Sequence, residues 1–114
     1  MKLEEINRQL ALETQTGVAK LSVEVTGGYA SDLLSCVMAK ARAGNVWITL
    51  QSHPNIVAVA SLLSLAGIII TEGMTPDDTT IEKAEKEGIP ILTTPLTTYT
   101  VVGRLFELGV LGVD

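Results

Sequence analysis

Cysteine is almost missing from this 114-residue chain, and Cys36 is the only one. A single cysteine excludes an intrachain disulfide and suits a reducing, cytoplasmic setting. Ser35 and Val37 flank it, with no His or Lys adjacent. It reads as a structural thiol, because a reactive one needs a neighbour that lowers its pKa. Basic residues are scarce as well: 8 Lys and Arg stand against 13 Asp and Glu, for a net charge of −5 and a pI of about 4.7. Nucleic-acid and anionic membrane surfaces both need clustered cations, so neither partner is expected. Long apolar runs are also lacking. The longest, 56–70, is interrupted by Ser61, Ser64 and Gly67, and a membrane span needs about 20 apolar residues. The charged start Met1-Lys2-Leu3-Glu4-Glu5 has no apolar run behind it, which argues against an ordinary signal peptide.

What is present is apolar content. The chain is 46% hydrophobic and 18% charged, enough for one domain with a compact core. Its mean hydropathy of +0.37 is high for so few charges and suggests that a partner covers some apolar surface.

The stretch 46–71 organises the rest: apolar residues 46–50, the polar turn Gln51-Ser52-His53-Pro54, apolar 55–66, then Gly67-Ile68-Ile69-Ile70-Thr71. It predicts strand, helix and strand, a βαβ unit. Around it, Leu3, Ile6 and Leu10 predict a short amphipathic helix at 3–12. Leu21, Val23 and Val25 alternate with polar residues and predict a strand over 20–25. Residues 26–30, with Gly27 and Gly28 free to take positive φ, read as a turn. Ser31 then caps a helix striped by Leu33, Leu34, Val37, Met38 and Ala41, and Gly44 ends it. Residues 46–50 show little polar alternation, as in an inner strand buried on both faces. The helix over 55–66 is apolar on nearly every side, so it is buried in the core or against another subunit.

After the 68–71 strand, Thr75 caps a helix with Pro76 in its first turn. Asp77 and Asp78 favour that helix N-terminus. The pairs Glu82–Lys86 and Lys83–Glu87 are spaced to meet on its surface, and Gly88 ends it. Residues 90–93 form the last strand, and Thr94-Pro95 opens a final helix packed by Leu96, Tyr99, Val102, Leu105, Phe106 and Leu108, ending at Gly109. The expected architecture is a single three-layer α/β domain over 1–114. Its central sheet is mainly parallel, with about four to five strands and helices on both faces. Three strands lead into a turn with a proline and then a helix, so right-handed crossovers place all three turns at the C-terminal sheet edge. Ligands bind at that edge in open parallel sheets, and free helix N-termini there favour anions.

The chemistry-bearing residues are few. No GxxxxGK[ST] phosphate loop occurs, and Gly27-Gly28 lacks the later glycine of a dinucleotide fingerprint. His53, the only histidine, is either a ligand contact or base at the sheet edge or a local capping residue. Ser52 beside it, with no acid placed by spacing, makes no catalytic triad. One His and one Cys do not make a metal site. Asp77 and Asp78 are more simply helix N-terminal charge than paired carboxylates. Glu72 is either a ligand contact or a solvated turn residue. The candidate ligand-binding set is Gln51, Ser52, His53, Thr71, Glu72, Thr93 and Thr94. No catalytic residue, metal or cofactor is designated.

Three stretches carry a family resemblance: Gly27-Gly28-Tyr29-Ala30-Ser31-Asp32-Leu33-Leu34, Leu65-Ala66-Gly67-Ile68-Ile69-Ile70-Thr71-Glu72-Gly73 and Gly88-Ile89-Pro90-Ile91-Leu92-Thr93-Thr94. With them the chain resembles a DRTGG domain, from the first helix through Gly109. Such domains are regulatory modules in some phosphotransacetylases and lie beside CBS domains in certain pyrophosphatases. The N-terminal domain of HPr kinase/phosphorylase is related. Many relatives carry roughly Gly-Asp-Arg-x-Asp after the middle strand, where this chain has Gln51-Ser52-His53-Pro54-Asn55, so the charges of that motif do not carry over. The resemblance implies an α/β fold, self-association and a regulatory part. The expectation is a non-catalytic homodimeric module that binds a small molecule or a partner protein. The alternative is a small-anion or nucleotide-binding protein with its site at the sheet edge. HPr-directed kinase activity is not expected without a phosphate loop.

Overall fold

The computed structural model describes residues 1–114. The chain opens with α1 (Leu3–Leu10), β1 (Glu13–Thr16) and a 3-10 turn at Val18–Lys20. Then follow β2 (Gly27–Ala30), α2 (Leu34–Lys40), β3 (Asn45–Thr49), α3 (Asn55–Leu62), β4 (Gly67–Ile70), α4 (Asp78–Glu87), β5 (Ile91–Thr93) and α5 (Thr98–Glu107). One sheet holds the five strands in the order β1-β5-β4-β3-β2. Strands β2 to β5 run parallel, and β1 lies antiparallel to β5. This is the mainly parallel, helix-flanked architecture that the βαβ grammar implies.

The inner strands are buried on both faces, so alternate residues feed two cores. Trp47, Ile68, Ile70 and Ile91 meet Val37 of α2, Ile56, Val57 and Ala60 of α3, and Ala84 of α4. Val46, Ile48, Ile69 and Leu92 meet Leu3, Ile6 and Leu10 of α1 and Val101 and Leu105 of α5. Each fully buried Ile or Leu contributes roughly 1.5–3 kcal/mol. That places α2, α3 and α4 on one face and α1 and α5 on the other.

The N-terminal third departs from the sequence pattern. Residues 20–25 are not a sheet strand. Their carbonyls close the start of α1, with the Leu3 amide donating to Val23 O and the Glu4 amide to Leu21 O. The alternation of Leu21, Val23 and Val25 thus serves a helix end whose first amides have no intrahelical partner. The first strand is instead Glu-Thr-Gln-Thr at 13–16, an edge strand too polar to announce itself. Residues 27–30, read as a turn, form the other edge strand. Gly27 is there for space rather than positive φ: a Cβ on it would stand 2.9 Å from Leu111 O and 3.3 Å from Asn45 Nδ2.

Helix starts also shift. Helix α2 begins at Leu34, and the Ser31 hydroxyl accepts from the Leu33 amide rather than capping the helix. Leu33 and Met38 are exposed, so the expected stripe narrows to Val37, fully buried, with Leu34 and Ala41 packed beside it. Helix α4 begins at Asp78, with Asp77 rather than Thr75 at the cap position. Helix α5 begins at Thr98, where Thr97 Oγ1 accepts from the Thr100 amide at 3.4 Å. Its inward residues are Val101 and Leu105, whereas Tyr99, Val102 and Phe106 are exposed. The surface pairs on α4 do not form. The only ion pair joins the N-terminal ammonium to Glu24 at 3.1 Å. Helix α3 mostly satisfies its apolar character within the chain, through Ile56, Val57, Val59 and Ala60, and leaves Leu62 as its large exposed apolar residue.

Candidate functional site

The ends of β3, β4 and β5 lead into loops on one sheet edge, and polar side chains tie those loops together. At β3, the Asp32 carboxylate accepts from Thr49 Oγ1 at 2.8 Å and from the Leu50 amide at 2.7 Å. The Gln51 amide side chain donates to Asp32 O at 3.0 Å. Ser52 contributes its carbonyl, which accepts from the Asp77 amide and from Thr80 Oγ1 at 2.6 Å. His53 Nδ1 accepts from the Asn55 amide at 3.1 Å, so the imidazole caps α3. This favours the local role among the two open for His53.

At β4 and β5 the same pattern continues. The fully buried Thr71 hydroxyl bonds that of Thr98 at 2.6 Å. Glu72 takes a left-handed backbone (φ 62°) ahead of Gly73 (φ 74°), a conformation that costs a non-glycine residue about 1 kcal/mol. The turn persists because it is held at three points. The Glu72 amide donates to Leu96 O and the Gly73 amide to Thr94 O, while the Glu72 carboxylate accepts from the Thr98 amide at 3.0 Å. Glu72 therefore caps α5, a carboxylate at the positive end of a helix. Thr94 Oγ1 accepts from the Leu96 amide, and Thr93 Oγ1 accepts from Gln15 Nε2 at 3.0 Å.

At each of the three helix starts one of the amides expected to be free for an anion is thus engaged, at Asn55, Asp77 and Thr98. Of the seven sequence candidates, only Thr93 and Thr94 line a cleft. It measures about 230 Å3 and is bounded also by Ala11, Glu13, Gly73, Met74, Thr75 and Pro95. Glu13 is its one charged residue, so a bare phosphate there meets a carboxylate and no cation. Gln51, Ser52, His53, Thr71 and Glu72 line no part of it and act as fasteners of the edge loops. Sequence reasoning did not single out Asp32 or Thr98, because their partners come from other strands. No group of three or more His, Cys, Asp or Glu side chains is placed to hold a metal ion.

Two further clefts flank β2, which sequence reasoning read as a turn and so left without a site. One, of about 560 Å3, has Tyr29, Lys40, Arg42 and Asp114 in its lining. The other, of about 100 Å3, is apolar and lies among Tyr29, Ile48, Val102, Leu105, Phe106 and Leu111.

No helix is long and apolar enough to cross a membrane. Among curated proteins, none matches the chain. Among solved structures, it is similar to the CBS and DRTGG domains of the regulatory region of Clostridium perfringens pyrophosphatase, in complex with the activator diadenosine tetraphosphate. The TM-score is 0.75 at 26% identity, covering 99% of this chain and 48% of that one. The chain therefore spans about half the length of that regulatory region, and the likeness includes α1 and β1. The DRTGG domain family model matches residues 25–108, from the residues before β2 through the end of α5. The chain belongs to the DRTGG domain family.

Proposed function

We propose that this chain is a non-catalytic regulatory module that acts as a homodimer and binds a small molecule or a partner protein. The observation that carries this reading is its likeness, over nearly its whole length, to half of a pyrophosphatase regulatory region that takes a nucleotide activator. The geometry supports it in two ways. The polar residues at the sheet edge hold loops rather than form a nucleophile with its base. The cleft over Thr93 and Thr94 is also wired to α5, through the Gly73 amide on Thr94 O and the Glu72 carboxylate on the Thr98 amide. A ligand in that cleft would bias the start of α5. The half-buried free thiol of Cys36 fits a cytoplasmic setting. Phosphotransfer to HPr is outside this reading, since no phosphate loop is present.

The second reading is a nucleotide-binding protein with its site at the C-terminal edge, bounded by Gln51, Ser52, His53, Thr71, Glu72, Thr93 and Thr94. It is favoured by the nucleotide nature of the neighbour's activator. Glu13 and Glu72 count against a bare anion and leave a nucleoside moiety as the group that fits. A thermal-shift titration with diadenosine tetraphosphate, ATP and adenosine tests both readings. Ligand at about 100 times its Kd stabilises the fold by about 2.7 kcal/mol. A shift that Thr93→Val with Thr94→Val abolishes supports the cleft. No shift with any of the three removes the nucleotide reading and leaves a different small molecule or a partner protein.

A further inference from the structure

Aromatic residues are rare here, with one Trp, one Phe and two Tyr. Trp47 is fully buried in the core, but Tyr99 is 81% and Phe106 66% exposed, both on α5. With Val102 and Gly103 they stand at i, i+3, i+4 and i+7, a single helical face, turned away from the buried Val101 and Leu105. The third remaining aromatic, Tyr29, is across the small apolar cleft that Val102 and Phe106 also line. Gly103 adds an oddity. Glycine in mid-helix costs stability relative to alanine, yet a Cβ there would meet nothing within 4 Å. Nothing within the chain requires it. A second backbone crossing close to α5 would.

We infer that this α5 face, with the β2 cleft beside it, is the surface on which a second copy of the chain docks. The inference rests on the homodimer reading above and names its surface. Three features select a second copy. A two-fold contact needs one surface to carry both a projection and the hollow that receives it, and here the Tyr99–Phe106 stripe adjoins the apolar cleft. The charges suit self-pairing too. On α5 only Glu107 stands beside the stripe, next to Gly103, while Arg104 lies on the opposite flank in a cleft with Gln9 and Leu10 of α1, so one charge per copy has to be accommodated although the chain as a whole carries −5. An antiparallel crossing at Gly103 sets Glu107 opposite the partner's Tyr99, a hydroxyl donor, rather than opposite another carboxylate. The area is also adequate. The two exposed aromatics present roughly 300 Å2 per copy, within the range of functional surface patches. Doubled, and joined by Val102 and Leu111, they supply the apolar centre of an interface of about 1,200 Å2. Tyr and Phe are enriched at interfaces, and Tyr is among the residue types that most often carry the binding energy there.

Sedimentation velocity on the full chain at micromolar concentration tests the assignment, with Phe106→Glu, Tyr99→Ser and Leu62→Glu as variants and circular dichroism to confirm folding. The expected result is a wild-type dimer, weakened at least about 30-fold in Kd by Phe106→Glu or Tyr99→Ser and unchanged by Leu62→Glu on α3. Because Tyr99 is the more exposed of the two, its variant decides the matter if Phe106→Glu folds poorly. A dimer insensitive to both α5 variants overturns the surface while the homodimer reading stands. A monomeric wild type overturns the homodimer reading and this surface with it.

Discussion

The loops at the C-terminal sheet edge and the outer face of α5 are opposites in how they treat conspicuous residues. At the edge, Asp32, Gln51, His53, Thr71, Glu72 and Thr94 look like site chemistry, yet each is engaged with a neighbouring loop or helix start. On α5, Tyr99, Val102 and Phe106 look like ordinary core residues in a helical pattern, yet they face outward. Polar groups near backbone amides find partners inside the chain, because an unpaired donor or acceptor is expensive. Apolar groups outside the core have no such internal remedy and wait for another surface.

That contrast can be broken by mutation. The largest effect belongs to Gly27→Ala on β2. Its Cβ would press on Leu111 O, which also accepts from the Gly28 amide at 2.8 Å. Overpacking against backbone should cost about 2–3 kcal/mol in urea denaturation, and a neutral result would mean that the tail after α5 is not held against β2. Asp32→Ala comes next. It strips the acceptor from Thr49 and Leu50, and a loss of about 1.5 kcal/mol is expected from the same measurement. If stability is unchanged, the edge loops do not depend on this fastener.

Glu72→Ala keeps the left-handed turn but removes the cap on α5, so a melting experiment should register a loss of about 1 kcal/mol. Glu72→Gly should recover most of it, because glycine relieves the backbone cost. Equal stability of the two variants would show that the turn is unstrained. The smallest effect is His53→Ala. It removes an exposed acceptor from the Asn55 amide and should cost about 0.5 kcal/mol while leaving ligand-induced thermal shifts intact. Loss of such a shift in this variant would restore His53 as a ligand contact.

How legible these features were in the sequence follows from burial. Strands β3, β4 and β5 stood out because an inner parallel strand is apolar on both faces, as in Val46-Trp47-Ile48 and Ile68-Ile69-Ile70. The edge strands did not. Glu13-Thr14-Gln15-Thr16 has only one neighbour and a wet outer side, and Gly27-Gly28-Tyr29-Ala30 is shaped by the close approach of Leu111. The shared sheet edge was legible as a place, through the three proline-containing turns, but the roles of its residues were not. Whether Glu72 contacts a ligand or caps a helix depends on Thr98, 26 residues away. The role of Thr71 depends on the same residue.

By itself the sequence determined the alternation of strands and helices from β3 onward, the parallel sheet and the shared edge of the three turns. Hydrophobic periodicity and the short crossovers leave few alternatives. Tertiary structure decided which polar residues are already engaged, which strands form the two edges and which side of α5 faces outward. These outcomes rest on contacts between residues far apart in the chain, and local pattern carries no information about such distances.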